Sequence, residues 1–235
     1  MIWFLLILAG MAAGLISTIA GLGGGILLVA GLSPFLPPAL VIGTTAPALL
    51  IGNASRAWFL REGIDWGLVA RFSLLAVPCA LGASLLAPHL PAALLRRAIA
   101  ALVLVFFVRM LKPKEKPAPA RNGGTVFFAG ALAGSVSGLT GGAGFLALPI
   151  LARFPLSPVQ LVATETTCMA LIHLTKSVCF GAVGSAPWPM SAALALGVVL
   201  GNALGRRVLA TLPRELFRRL LLGAMGLAGL MLAIA

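Results

Sequence analysis

The sequence predicts an all-α polytopic membrane protein made of two pseudo-symmetric, inverted repeats. Three observations carry this. The chain of 235 residues is 60% hydrophobic and only 9% charged, against about 25% charged residues in a soluble domain, and its mean hydropathy is +1.11. Apolar runs near the length of about 18 residues that marks a bilayer span recur along it. A shift of 120 positions, without a gap, lays Gly10, Gly14, Ser17, Gly21, Gly24, Pro38 and Thr44 on Gly130, Gly134, Ser137, Gly141, Gly144, Pro158 and Thr164.

In chain order, Ile2 to Ala20 is the first span, rich in small residues, and its Gly10 and Gly14 form a G-x-x-x-G pair that lets another helix approach closely. Its start has no basic segment, so it reads as a span and not as a cleaved signal. Gly21 to Gly25 breaks the helix. Ile26 to Phe35 is apolar but only about half a bilayer long at 1.5 Å per residue, and Ser33-Pro34 and Pro37-Pro38 stop it. Ala39 to Asn53 is the next span, running into Arg56, Trp58 and Arg61; Asp65 and Trp66 open another, to about Pro88. His89, Pro91, Arg96 and Arg97 mark a turn before Ala98 to Leu111. Prolines and charges then exclude a span from 113–122, a hydrophilic linker between the repeats 1–112 and 123–235. The second repeat follows the same order: Thr125 to Thr140, glycines 141, 142 and 144, Phe145 to Phe154, Pro158 to Val183, Pro187-Trp188 to Arg206-Arg207, and Pro213 to Ala235. In this later part the register is 122, pairing Trp66, Pro91, Arg96 and Arg97 with Trp188, Pro213, Arg218 and Arg219.

The cations fix the topology. If each glycine-broken pair is one crossing, the halves are parallel and the basic residues divide evenly between the two sides. If the pair is a hairpin that returns to its own side, the second half is inverted. One side then holds Arg56, Arg61, the five cations from Arg109 to Arg121, Arg153 and the five from Arg206 to Arg219, thirteen in all. The other holds Arg96, Arg97 and Lys176. The positive-inside rule selects the hairpin, with a cytoplasmic linker and both termini outside. The net charge of +12 is therefore a matter of orientation and anionic lipid, not of nucleic acid.

The chemistry is concentrated in two places. A helix that breaks inside a bilayer leaves backbone N–H and C=O groups unpaired, tolerable only against protein or a cavity. The runs starting near Gly24 and Gly144 present helix N-termini, whose free N–H groups favour an anion; Gly23, Gly24, Gly25, Thr140, Gly141, Gly142 and Gly144 are thus candidate substrate contacts. The second place is the span after the proline corner. Thr45, Asn53 and Arg56 in one half match Glu165, His173 and Lys176 in the other. Positions i, i+8 and i+11 fall within about 80° on a helix, so each trio shares a face. Ionisable groups there face a cavity or a partner. Asn53, Arg56 and Lys176 are candidate substrate contacts, and Glu165 and His173 candidates for proton coupling. Thr44, Thr45 and Thr164 offer hydroxyls to substrate oxygens or bond back to their own helix.

Other chemistry is not supported. Cys79, Cys168 and Cys179 lie in apolar runs at no metal-site or disulfide spacing, so no metal or cofactor is expected and the thiols read as packing residues. The P-loop pattern is missing. Ser137 with His173 would make a nucleophile–base pair for an intramembrane hydrolase, but the matching pair, Ser17 with Asn53, lacks the base. No catalytic residue is assigned. An anion channel of the same architecture is the closer alternative, and a homo-oligomer is compatible with the sequence.

The small-residue helix running into GLISTIAGLGGGILLVAGL and VIGTTAPALLIGN, with GSVSGLTGGAGFLALPIL and VATETTCMALIHLTKS as counterparts, resembles the TauE/SafE family of membrane permeases. The resemblance covers nearly the whole chain. It implies movement of sulfite, sulfonates or other organic anions across the bacterial cytoplasmic membrane. It places the family's glycine turns on Gly21 to Gly25 and Gly141 to Gly144, and its threonine motif on Thr44, Thr45 and Thr164. Glu165 departs from the small hydroxyl residue at the matching Thr45; a carboxylate there repels an anion unless it is protonated or paired. The sequence reading is thus a secondary anion transporter with alternating access. An epitope tag inserted in 113–122 is expected to be shielded in intact cells and labelled only after permeabilisation; labelling of intact cells would reject the inverted topology.

Overall fold

The computed structural model describes residues 2–20, 24–111, 124–184 and 186–208. Gly21 to Gly23, the 113–122 linker and the span expected over Pro213 to Ala235 lie outside the described residues. Every described regular element is helical. The helices are α1 (Ile2–Ala20), α2 (Gly24–Leu32), α3 (Pro38–Phe59), α4 (Trp66–Leu86), α5 (Ala92–Leu111), α6 (Gly124–Thr140), α7 (Gly144–Leu151), α8 (Pro158–Ala182) and α9 (Trp188–Val208). Pro38–Phe59, Trp66–His89 and Trp188–Gly205 are each long and apolar enough to cross a bilayer. The chain is an all-α polytopic membrane protein.

Local chemistry sets the boundaries. Pro38 stands in the first turn of α3, where its missing N–H costs nothing. The Asp65 carboxylate accepts from Leu68 N at 2.9 Å and starts α4. Ser157 and Gln160 form a reciprocal capping box ahead of α8. The Ser33 hydroxyl donates to Val29 O at 2.6 Å as α2 ends. One boundary differs from expectation. The helix expected from Ala98 begins at Ala92, because Pro91 O accepts from Leu94 N and Leu95 N and nucleates the first turn there; Arg96 and Arg97 thus ride on the helix and not in the turn.

Two helix pairs dominate the packing, α1 with α9 and α4 with α6. Both depend on missing side chains. A Cβ on Gly10 would overlap Leu194 O and one on Gly14 would overlap Val198 O; a Cβ on Gly130 would overlap Phe72 O and one on Gly134 would overlap Ala76 O. These four contacts obey both sequence registers: Gly10 and Gly14 match Gly130 and Gly134, and Phe72 and Ala76 match Leu194 and Val198 at the shift of 122. Dispersion at close backbone approach drives such pairs in lipid, where no hydrophobic effect separates helix from solvent. The helix preceding each glycine break therefore packs against a helix from the other half of the chain.

α3 and α8 cross the centre and run antiparallel. At one end Gly63, just after α3, lies against Val159, Gln160 and Ala163 of early α8, and Asp65 N donates to Thr164 Oγ1 at 3.0 Å. At the other end Ile42 of early α3 shares an apolar cluster with Phe180 of late α8. α2 folds back on α1 instead of extending it, since Gly24 sits against Ala13 and Ser17. The outward faces carry large apolar side chains, among them Trp3, Phe4, Leu74, Phe128 and Leu196, as a lipid-facing surface requires.

Gly134→Leu should drive a side chain into the Ala76 backbone and lower stability by about 1–3 kcal/mol, the usual cost of overpacking. Gly82→Ala, which meets open space, should be neutral or stabilising. Thermal unfolding of the two variants in detergent checks the contrast.

Candidate functional site

The two glycine breaks meet at the centre of the molecule. A Cβ on Gly142 would lie 3.2 Å from Gly25 C and Ile26 N, so α2 and the turn after α6 touch backbone to backbone. Gly141 has φ +93°, a conformation open to glycine, and packs against Val29 and Ile42. Beside this junction lies a cavity of about 40 Å³. Its walls come from both breaks (Gly24, Gly25, Gly142, Gly144), from α3 (Asn53, Arg56), from α8 (Glu165, His173) and from Ser17 of α1. On this measure one water needs about 10–15 Å³, so the cavity admits a group of a few heavy atoms. A smaller bay of about 10 Å³ adjoins it, bounded by Asn53, Arg56 and Asn202.

α2 and α7 begin at the cavity, at Gly24 and Gly144. Their first N–H groups have no partner within their own helices, and Ala143, at the N-cap of α7, has no polar side chain to offer them. The opposite ends of the breaks, the carbonyl ends of α1 and α6, are each met by a fixed cation. Arg56 Nη1 donates to Ser17 O at 3.2 Å and Nη2 to Asn53 Oδ1 at 2.5 Å. Lys176 Nζ donates to Gly141 O at 2.8 Å and to Ser137 Oγ at 3.3 Å, and lies 3.4 Å from His173 Nδ1. With Lys176 as an ammonium, which only donates, Nδ1 is the acceptor and the ring proton is assigned to Nε2. The two groups are copies. Ser17, Asn53 and Arg56 correspond to Ser137, His173 and Lys176, with serine and cation 39 positions apart in each. A cation at a helix C-terminus also gains from the helix dipole.

The copies differ in where their spare chemistry points. Lys176 is fully buried and does not line the cavity; its three N–H groups face three acceptors. Arg56 does line the cavity, and its Nε is buried without a partner. Glu165 is 3% exposed and turns to the start of α7, where a Cβ on Gly144 would lie 2.8 Å from its Oε1. Its other oxygen is 3.4 Å from the Thr166 hydroxyl. The matching Thr45 instead donates to Val41 O at 2.8 Å, on its own helix.

Of the sequence candidates, Gly24, Gly25, Asn53, Arg56, Gly142, Gly144, Glu165 and His173 line the cavity. Thr44, Thr45, Thr140, Gly141, Thr164 and Lys176 stand off it, and Gly23 lies outside the described residues. Thr140 bonds back to Val136 O at 2.6 Å, and Thr164 accepts from Asp65 N, tying α8 to the start of α4. The Thr44 hydroxyl is buried without a partner. Its repeat relation explains this: the position matching Asp65 is Pro187, which has no N–H to give. The hydrolase pair is not assembled, since Ser137 Oγ receives the Lys176 ammonium and lies off the cavity. Two contributors were missed. Ser17 was visible only as a register match to Ser137. Asn202 accepts from Thr18 at 3.0 Å and donates to Gly52 O at 3.2 Å, and its counterpart, Ala80, gives no polar signal.

A family model described as Sulfite exporter TauE/SafE matches residues 6–232. No curated protein and no solved structure matches the chain. The chain belongs to the TauE/SafE family.

Lys176→Met should leave Gly141 O, Ser137 Oγ and His173 Nδ1 short of a donor and cost about 1–3 kcal/mol per stranded group. A fall in the detergent unfolding temperature larger than that of Arg56→Gln, whose side chain is only partly buried, is the expected readout.

Proposed function

We infer that this TauE/SafE-family chain is a secondary transporter that holds one small anion in the cavity between its glycine breaks. Sulfite, sulfonates and other small organic anions are the proposed substrates, in the bacterial cytoplasmic membrane. The observation that carries the reading is convergence: the starts of α2 and α7 and the Arg56 guanidinium all reach one small cavity. Free N–H groups, the positive ends of two helices and a guanidinium with donors to spare suit an oxyanion. Membership of a transporter family supports this reading.

The route of opening follows from the packing. The α1–α9 and α4–α6 pairs interlock glycine against backbone and resist sliding. The Thr18–Asn202–Gly52 hydrogen bonds further tie α1, α9 and α3 together. We take the moving bodies to be these exchanged bundles, α1–α2–α3–α9 against α4–α6–α7–α8, parting along α3 and α8. The bodies are thus not the sequence halves. An inverted-repeat carrier with its site at the repeat interface works in this way. The antiparallel course of α3 and α8 supports the inverted topology with the linker in the cytoplasm. So does a revised charge count: setting aside Arg56 and Lys176, which serve the breaks, changes thirteen against three to twelve against two.

Among the described residues, Glu165 is the one carboxylate placed inside a span, and it shares the cavity with Arg56 and His173. We assign it the coupling proton, with His173 as the relay to the Lys176 side. Purified protein in liposomes should take up sulfite slowly and saturably, faster with an inward proton gradient. Arg56→Gln should lower uptake at least about tenfold, the loss of one charge-assisted contact. Glu165→Gln should retain uptake but lose the response to the gradient. Single-channel conductance in planar bilayers would support a channel instead.

A further inference from the structure

The geometry points to Glu165 as a tethered anion that fills one of two equivalent anion seats and limits the site to singly charged substrates. This rests on the anion-carrier reading above and specifies its substrate class. The repeat supplies two helix starts at one cavity, Gly24 of α2 and Gly144 of α7. By symmetry each is a seat for a negative group. At α7 the seat is taken: the Glu165 carboxylate, 3% exposed, lies against Gly144 and has one hydroxyl contact, from Thr166. At α2 the residue in the matching position is Thr45, turned away onto Val41 O. Among the described residues no side chain occupies that seat, and beside it stands Arg56 with a buried Nε that has no partner.

The charges follow. α1, α2, α6 and α7 bring no titratable side chain. α3 brings Arg56; α8 brings Glu165, with Cys168 and His173 near it. The Lys176 ammonium donates to Gly141 O, Ser137 and His173 Nδ1, all uncharged, and so keeps its positive charge just behind the His173 ring. Arg56 and Lys176 thus set two positive charges against the one Glu165 carboxylate. When Glu165 is ionised, one positive charge remains to balance an entering monoanion. A second negative charge is left uncompensated in a desolvated site, which is costly.

The experiment uses full-length protein in liposomes, with labelled sulfite uptake at pH 7 and two competitors: methanesulfonate, charge −1, and sulfate, charge −2. Methanesulfonate should compete in the wild type and sulfate should not. Glu165→Thr, which installs the residue of the other repeat, frees the α7 seat; sulfate should gain roughly tenfold against methanesulfonate, a specificity change of the size expected from one unpaired charge. Glu165→Gln is isosteric and should shift the ratio the same way, so a folding defect in the threonine variant does not decide the outcome. Equal competition by sulfate in the wild type, or an unchanged ratio in both variants of an active transporter, would overturn the inference. A wild type that neither takes up sulfite nor binds either competitor overturns the carrier reading itself.

Discussion

Everything at the centre of this molecule depends on how two broken helices end inside a bilayer. Carbonyls at the end of α1 and α6 have no next turn to bond to, and lipid offers no substitute. The chain answers with a basic side chain placed 39 residues after a serine, twice: Arg56 to Ser17 O, and Lys176 to Gly141 O and Ser137. With the carbonyl ends capped from within the protein, the N–H ends of α2 and α7 are left to face a cavity. A broken helix thus exposes donors and not acceptors to the centre, and that bias is what the proposed anion site rests on. The cations also fix α3 and α8, because the residues that cap the breaks must lie on the two central helices.

The glycines make this arrangement compact enough to work. At the breaks they let backbone touch backbone, Gly142 against Gly25 and Ile26. On the flanking helices they let α1 sink onto α9 and α6 onto α4. Each broken hairpin is therefore clasped by a helix encoded in the other half of the chain. Two copies that bound only their own helices could drift apart in lipid, where the force between helices is short-ranged contact. Exchange makes each half complete the other, and it leaves α3 against α8 as the seam between the two bundles.

Much of this was legible in the sequence for a physical reason. Glycine clusters, prolines and small-residue spacing act through the backbone, and backbone effects are local. The breaks at 24 and 144, the proline corners and the G-x-x-x-G faces all followed. The paired trios on α3 and α8 were legible too, since helical periodicity sets a face. Periodicity does not set how far along that face a side chain reaches or which donor it uses. So Arg56 and Lys176 looked equivalent, yet one lines the cavity and the other is sealed behind it. Thr44 and Thr164 were equivalent as well. Their difference arises from residues 65 and 187, whose proximity is tertiary; Asp65 gives an N–H to Thr164, and Pro187 has none to give. Asn202 stayed hidden because its role comes from the pairing of α9 with α1, between chain segments 184 residues apart.

The divergence of the two cations has a simple chemical basis. An ammonium carries three N–H donors, and a guanidinium carries five in a planar fork. Lys176 has three acceptors around it, Gly141 O, Ser137 Oγ and His173 Nδ1, and nothing remains for a ligand. Arg56 caps Ser17 O and holds Asn53 with two of its donors, and its Nε is still unpaired. The same capping task therefore consumes one side chain and leaves the other with capacity. In a duplicated protein this is enough to assign roles. The lysine copy becomes a structural post, and its empty helix start is filled by Glu165 from the same helix. The arginine copy keeps an open helix start and an unpaired donor, and is the half proposed to meet the substrate. Replacing either cation by the other would break the division: a lysine at 56, after donating to Ser17 O and Asn53 Oδ1, would keep one donor where arginine keeps three, and an arginine at 176 would be too large for a site with no exposed surface.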